Sequence, residues 1–179
     1  MSLVRAWVFC HAERAQGAFM ASAQHLQLLY EKEVIQYPMS VFGDVDWIVP
    51  VEEQLPQTLD SSIDAIHDHD GGVRNTETLL SLEPETDEEQ SLRAEEPYAL
   101  LCCNTKSTMG RLHLLTHLRV TGAFLVVDLV FGRYDILAPF RVKYGWSSED
   151  YKQFLQSVLG GSASAHIDNT SIHIPFSFM

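Results

Sequence analysis

Hydrophobic and polar positions along residues 1–83 form a pattern that predicts four strands and two helices. Residues 18–30 are rich in helix formers, and residues 56–67 place Leu59, Ile63 and Ile66 on one helical face. The strand-like runs cover residues 4–11, 34–42, 45–51 and 73–82. The predicted order of elements is therefore β-α-β-β-α-β.

The chain then repeats this pattern. Residues 41–50 match residues 130–139 with five of ten positions identical, and three of the others exchange one apolar residue for another. The second copy predicts strands over 98–103, 122–131, 134–142 and 166–176, and helices over 109–118 and 148–159. An internal duplication therefore sets the architecture.

Glycine and proline occupy matching places in the two copies. Gly43-Asp44 and Gly132-Arg133 are two-residue connections with glycine first, which is typical of a type II′ hairpin turn. Pro50 and Pro139 fall within the third predicted strand of each copy, where a proline removes a ladder N–H group. We therefore expect a bulge or a bend in that strand.

An acidic segment bounded by prolines separates the copies. It divides the chain into a first repeat over 1–83, a linker over 84–97 and a second repeat over 98–179. A four-stranded sheet with both helices on one face leaves its other face uncovered. The predicted fold class is α+β, with two ferredoxin-like βαββαβ repeats packed sheet to sheet as an intramolecular dimeric α+β barrel. The linker is long enough that the repeats could instead pair between chains.

The composition of the chain argues against several classes of function. Twelve basic side chains against twenty-four acidic ones give a net charge of −12, which disfavours direct nucleic acid binding. No apolar stretch is long enough for a signal sequence or a membrane span. Cys10, Cys102 and Cys103 lack metal-binding spacing and have apolar flanks, so we expect buried thiols and a cytoplasmic protein.

Short segments of both copies carry a family resemblance. Residues 43–46, 72–79 and 132–135 resemble the signature turns of the Lrp/AsnC effector-binding domain, also called the RAM domain. The resemblance implies a ferredoxin-like fold that pairs through its sheets and binds an amino acid or a similar small effector. We expect a tandem regulatory module for transcription that lacks its own DNA-binding domain.

The resemblance also implies ligand-binding residues at the hairpins and the last strands. They are Gly43, Asp44, Asp46, Thr76, Thr78, Gly132, Arg133, Tyr134, Asp135 and Thr170. The copies differ, because the first has Val45 where the second has Tyr134, so their sites are not equivalent.

Each of these residues also has a structural interpretation. The favoured one for Asp46 and Asp135 is that their carboxylates accept backbone N–H bonds that hold the hairpins. Arg133 at a hairpin tip is typical of a solvated side chain. Thr76 and Thr78 point to one side of their strand, where they either meet a ligand or fit a β surface.

Two histidine clusters have incomplete metal-ligand spacing. His113 and His117 stand at i and i+4 on a helix, and residues 67–70 read His-Asp-His-Asp, but neither cluster has a third ligand at a recognised spacing. A solvated helix face and an exposed helix end are the favoured interpretations. The sequence predicts no metal, no cofactor and no catalytic residue.

Three classes of function remain open. The first is the effector-binding module, with a small-molecule ligand such as an amino acid and no membrane contact, acting with a regulatory protein partner or as a homo-oligomer. The second is a haem- or tetrapyrrole-binding protein, or an enzyme, of the dimeric α+β barrel class, with histidines as axial or acid–base groups. The third is a structural domain that has lost its ligand. Fold analogy alone does not choose among them.

Overall fold

The computed structural model describes residues 4–13, 16–41, 44–67, 72–82, 98–143 and 145–175. The predicted linker over 84–97 and Gly43 lie outside these residues. The chain divides into two compact units, Met1–Glu95 and Glu96–Met179, which we call unit 1 and unit 2. No described helix is both long and apolar enough to cross a bilayer.

Unit 1 is an antiparallel sheet with two helices. Its elements are β1 (Val4–Ala12), α1 (Ala18–Glu31), β2 (Met39–Ser40), β3 (Trp47–Glu53), α2 (Pro56–Ile66) and β4 (Val73–Ser81). The strand order is β2-β3-β1-β4. Alternate residues of β1, namely Ala6, Val8 and Cys10, belong to a buried cluster with helix residues such as Leu26 and Leu59.

Unit 2 repeats this arrangement. Its elements are β5 (Tyr98–Thr105), α3 (Thr108–Thr121), β6 (Asp128–Phe131), β7 (Ile136–Arg141), α4 (Ser148–Leu159), a 3-10 helix (Gly161–His166) and β8 (Ile167–His173). The strand order is β6-β7-β5-β8, again antiparallel. The α+β class and the alternation of strands and helices agree with the prediction.

The second strand of each copy is shorter than predicted. Instead of 34–42 the structure has Met39–Ser40, and instead of 122–131 it has Asp128–Phe131. The N–H of Gln36 donates to the carbonyl of Pro50 at 3.0 Å, and the N–H of Leu125 donates to that of Pro139 at 2.8 Å. Because proline has no N–H to donate in return, the reciprocal ladder bond is missing and regular pairing ends there.

The expected bulge in the third strand is therefore wrong. β3 and β7 run through their prolines in unbroken register with β1 and β5, as the pairs Trp7–Pro50 and Leu100–Pro139 show. Each proline turns its nitrogen toward the edge strand, so the central pairing is unaffected. The register shifts lie elsewhere, between His11 and Ala12 against β4 and between Asn104 and Thr105 against β8.

Candidate functional site

The two duplicated aspartates tie each hairpin to the end of the first strand. The N–H of Ala12 donates to Oδ2 of Asp46 at 2.9 Å, and the N–H of Thr105 donates to Oδ2 of Asp135 at 2.8 Å. These donors stand at the register shifts, where the N–H groups leave the regular ladder. Each carboxylate therefore has the structural role considered for it, while its contact with a ligand stays a prediction.

The aspartates differ in what else surrounds them. In unit 2, Nη2 of Arg111 lies 2.5 Å from Oδ1 of Asp135, and the hydroxyl of Thr105 donates to Oδ2 at 2.8 Å. In unit 1, Ala12 has no hydroxyl to donate, and the described residues place no cation on Asp46 at ion-pair distance. Among the described residues, the carboxylate of Asp46 therefore has fewer partners than the carboxylate of Asp135.

A cavity of about 810 Å³ opens beside Asp46 in unit 1. Its volume falls within the range of about 300–1,000 Å³ that is usual for small-molecule sites. The lining residues are His11, Ala12, Glu13, Phe19, Asp44, Asp46, Arg74 and Asn75. They supply an imidazole, three carboxylates, a guanidinium and an aromatic ring, a set that can bind a polar or metal-bearing ligand.

Phe19 is the aromatic residue of the cavity wall, and it packs against Trp47. The rings of Phe19 and Trp47 are stacked, with centroids 5.1 Å apart. Nε1 of Trp47 donates to the hydroxyl of Ser22 at 3.0 Å, which fixes the indole in place. The pair therefore presents the Phe19 ring on a rigid support.

Only part of the predicted unit 1 site reaches the cavity. Asp44 and Asp46 line it. Thr76 and Thr78 do not: they pair with Cys10 and Val8 of β1 and share the sheet face that carries the helices. On β4 the cavity is lined by Arg74 and Asn75 instead.

The predicted residues of unit 2 are not gathered in one place. Arg133 is exposed, and its guanidinium carbon lies 5.4 Å from the centroid of the Tyr134 ring, a cation–π geometry. Tyr134 is buried, and its hydroxyl accepts a hydrogen bond from Ser171 at 3.2 Å. Thr170 is exposed on β8. Gly132 has a φ of 146°, which is far from the value of a type II′ turn, and residues 132–135 join β6 to β7, so the expected two-residue turn is wrong.

The histidines that the structure describes make contacts within their own units. Nε2 of His117 lies 2.8 Å from the carbonyl of Val158, and Nε2 of His25 lies 2.9 Å from that of Ala65, so each joins two helices of its unit. The ring of His113 instead contacts that of His166, at 4.5 Å between centroids. Among the described residues no three metal-ligating side chains come together, and residues 68–70 lie outside them.

Sequence reasoning missed several residues of the cavity wall. They are His11, Glu13, Phe19, Arg74 and Asn75. The available signal was the position of His11, directly after Cys10 in the repeated first strand. The convergence of a strand end, a helix start and a hairpin was not visible in any local pattern.

Comparison with known proteins identifies the fold. No family model and no curated protein matches the chain. A mutant chlorite dismutase from Candidatus Nitrospira defluvii matches with a TM-score of 0.58 at 12% identity, over 98% of this chain and 92% of that one. A siroheme decarboxylase matches with a TM-score of 0.58 at 8% identity, over 97% of this chain and 71% of that one. A heme-binding protein from Thermus thermophilus matches with a TM-score of 0.54 at 9% identity, over 97% of this chain and 91% of that one.

These matches correct the family resemblance. The chain shares its fold with the chlorite dismutase and siroheme decarboxylase structures, so the expected Lrp/AsnC effector-binding domain is wrong, and with it the expected role in transcription regulation. The turn motif suggested the wrong family because its residues serve the βαββαβ fold. Asp46 and Asp135 each accept a hydrogen bond from the end of the first strand, a contact that involves no ligand.

Proposed function

We propose that this protein binds an iron tetrapyrrole in the unit 1 cavity. The observation that carries the proposal is the imidazole of His11 on the wall of an 810 Å³ cavity. The fold supports it, since one similar structure is a heme-binding protein and another is a siroheme decarboxylase, also solved with an iron-uroporphyrin III analogue. The amino acid effector expected from the resemblance has no such support.

The lining residues fit this ligand class. A neutral imidazole is a usual axial ligand of tetrapyrrole iron. His11 is half-buried at the cavity, whereas the Nε2 atoms of His25 and His117 are engaged by carbonyls. When bound, the iron would supply redox or Lewis-acid chemistry, and His11 would hold it.

Charge in the cavity sets the orientation of the ligand. The guanidinium of Arg74 is the group suited to pair with a ring carboxylate. Asp44 and Asp46 place negative charge on the hairpin side, and the exposed Glu13 follows β1, where its N–H donates to the carbonyl of Gly72. We infer that the carboxylate-bearing edge of the tetrapyrrole faces Arg74 and the more apolar edge faces Phe19.

We further propose that the two repeats pair through their sheets as an α+β barrel. Each sheet has a second apolar face, on which Trp7 and Phe9 in unit 1 and Leu100 and Leu137 in unit 2 alternate with the helix-side residues. A Phe9→Asp change should then speed amide exchange in β5 as well as in β1. Faster exchange confined to unit 1 would contradict this pairing.

Absorbance titration with ferric protoporphyrin IX tests the binding function. We expect a saturable change of the main absorption band with one equivalent bound per chain. Metal-free protoporphyrin, the matched control, should bind more weakly because it lacks the iron that His11 would ligate. An unchanged spectrum, or a change that never saturates, would overturn the proposal.

A further inference from the structure

The first helices of the two units can be aligned residue by residue from their contacts. Their buried faces match at an offset of 92, which pairs Ala18, Ser22 and Leu26 of α1 with Gly110, Leu114 and Leu118 of α3. His25 and His117 stand at the same offset, and each reaches a carbonyl of the second helix of its unit. The alignment makes Arg111 the counterpart of Phe19.

This single exchange changes the environment of the duplicated carboxylate. Arg111 extends to Asp135 and pairs with it at 2.5 Å, and the two side chains are 33% and 18% exposed. Phe19 instead stacks on Trp47 and forms the wall of the cavity into which Asp46 faces. The neighbouring exchange of Ala12 for Thr105 adds a second donor to Asp135 alone.

We propose that Arg111 is a built-in occupant of unit 2's copy of the ligand site, which reserves ligand binding for unit 1. Its guanidinium stands beside the duplicated aspartate of unit 2 and neutralises the carboxylate there, whereas the described residues of unit 1 place the Phe19 wall of the cavity beside Asp46. The resulting count of one ligand per chain rests on the proposed tetrapyrrole function. The proposal that Arg111 fills the unit 2 copy of the site does not depend on that function.

Chemical labelling of the folded full-length chain tests the occupancy without any ligand. A carbodiimide with an excess of a small amine converts accessible carboxylates to amides, and mass spectrometry of the peptides gives the rate at each aspartate. We expect Asp46 to react several-fold faster than Asp135. Arg111→Gln, which shortens the side chain and removes the charge, should raise the rate at Asp135 and leave that at Asp46 unchanged.

A second variant, Phe19→Arg, keeps the proposal testable if Arg111→Gln does not fold. Phe19→Arg places a guanidinium in unit 1 at the position of Arg111, so the rate at Asp46 should fall toward that at Asp135. Circular dichroism confirms that each variant is folded. Equal rates at the two aspartates in the wild-type chain, or rates that neither variant changes, would overturn the proposal.

Titration with ferric protoporphyrin IX separates this inference from the proposed function. Phe19→Arg should weaken binding by at least about tenfold, which corresponds to about 1.4 kcal/mol, whereas Arg111→Gln should leave unit 1 binding unchanged. If the wild-type chain binds no porphyrin, the proposed function fails and the labelling rates still decide the role of Arg111. If porphyrin binds equally to the wild type and Phe19→Arg, the assignment of the ligand to unit 1 is overturned.

Discussion

Nε of Arg5 lies 2.6 Å from Oε1 of Glu52, and the two side chains are 1% and 2% exposed. The residues are direct partners on β1 and β3, so the ion pair joins the two inner strands of the unit 1 sheet, near the start of β1 and the end of β3. Two charges this deeply buried are costly to desolvate, and breaking such a pair strands one of them. The pair therefore makes the stability of unit 1 depend on both residues together.

Removing Glu52 alone should be much worse than removing both partners. Glu52→Leu leaves the guanidinium of Arg5 without this carboxylate and should lower the free energy of unfolding by about 3–5 kcal/mol. The double variant Arg5→Met with Glu52→Leu should recover most of that loss. Urea unfolding of the four proteins measures the coupling, and a double variant with the sum of the single losses would contradict it.

The start of α4 carries a capping box that should be measurable by itself. The hydroxyl of Ser147 accepts from the N–H of Asp150 at 3.3 Å, and the carboxylate of Asp150 accepts from Ser147 in return. Ser147→Ala should destabilise the protein by about 1 kcal/mol. Ser148→Ala, one residue further on and exposed, is the matched control and should have a much smaller effect.

The same box gives a titration signature. Hydrogen bonds from the side chain and backbone of Ser147 lower the pKa of Asp150 below its ordinary 3.8. The stabilising contribution of this carboxylate is therefore present above its ordinary pKa and is lost as the pH falls through the lowered value. NMR titration should show the Asp150 pKa rising in Ser147→Ala, and an unchanged value would argue against the box.

Two glycines with similar backbone angles should respond differently to alanine. Gly72 has a φ of +75°, and a Cβ atom there would lie 2.7 Å from the carbonyl oxygen of Ala18. Gly122 has a φ of +62° and open space around the same position. Gly122→Ala should cost about 1 kcal/mol from backbone strain alone, and Gly72→Ala distinctly more. Equal losses of stability for the two variants in thermal unfolding would show that the contact of Gly72 with Ala18 adds nothing to the cost of the substitution.

The thiols beside the duplicated aspartates should resist ionisation. Burial, with the Asp46 carboxylate as a second cause, raises the pKa of Cys10 to about 12, and burial with Asp135 does the same for Cys103. An unfolded thiol ionises near 9.0, so stability is intact below that pH and falls as the pH rises from 9.0 to about 12.

Alkaline unfolding measures this effect. Each thiol should contribute a slope of about 1.4 kcal/mol per pH unit within that window. Cys10→Ala and Cys103→Ala, made singly, should each flatten the dependence of the unfolding free energy on pH. A slope that is identical in the wild type and both variants would rule the thiols out as its source.

The sequence predicted those features that depend on local pattern. The bounds of α4 were predicted as found, and the helix begins directly after its Ser147 cap. The lengths of the edge strands were overestimated. Pro50 and Pro139 offer no N–H group to the neighbouring edge strand, which is an effect of tertiary structure. Local hydrophobicity cannot show which side of a strand a proline nitrogen faces.

The candidate site was only half predictable for a similar reason. Asp46 and Asp135 stand out in the repeat, and both do bond to the backbone. His11 and Arg74 lie far apart in the sequence and reach one cavity only through the pairing of β1 with β4. The difference between the two copies depends on Phe19 and Arg111, which no shared motif marks.

Binding of ferric protoporphyrin IX to a His11→Ala variant tests the central claim most directly. We predict at least about a tenfold loss of affinity and an altered absorption spectrum, with added imidazole restoring the wild-type spectrum. His113→Ala, which removes an exposed histidine of unit 2, is the matched control and should bind as the wild type does. Unchanged affinity and spectrum in His11→Ala would contradict the assignment of the unit 1 cavity as an iron tetrapyrrole site.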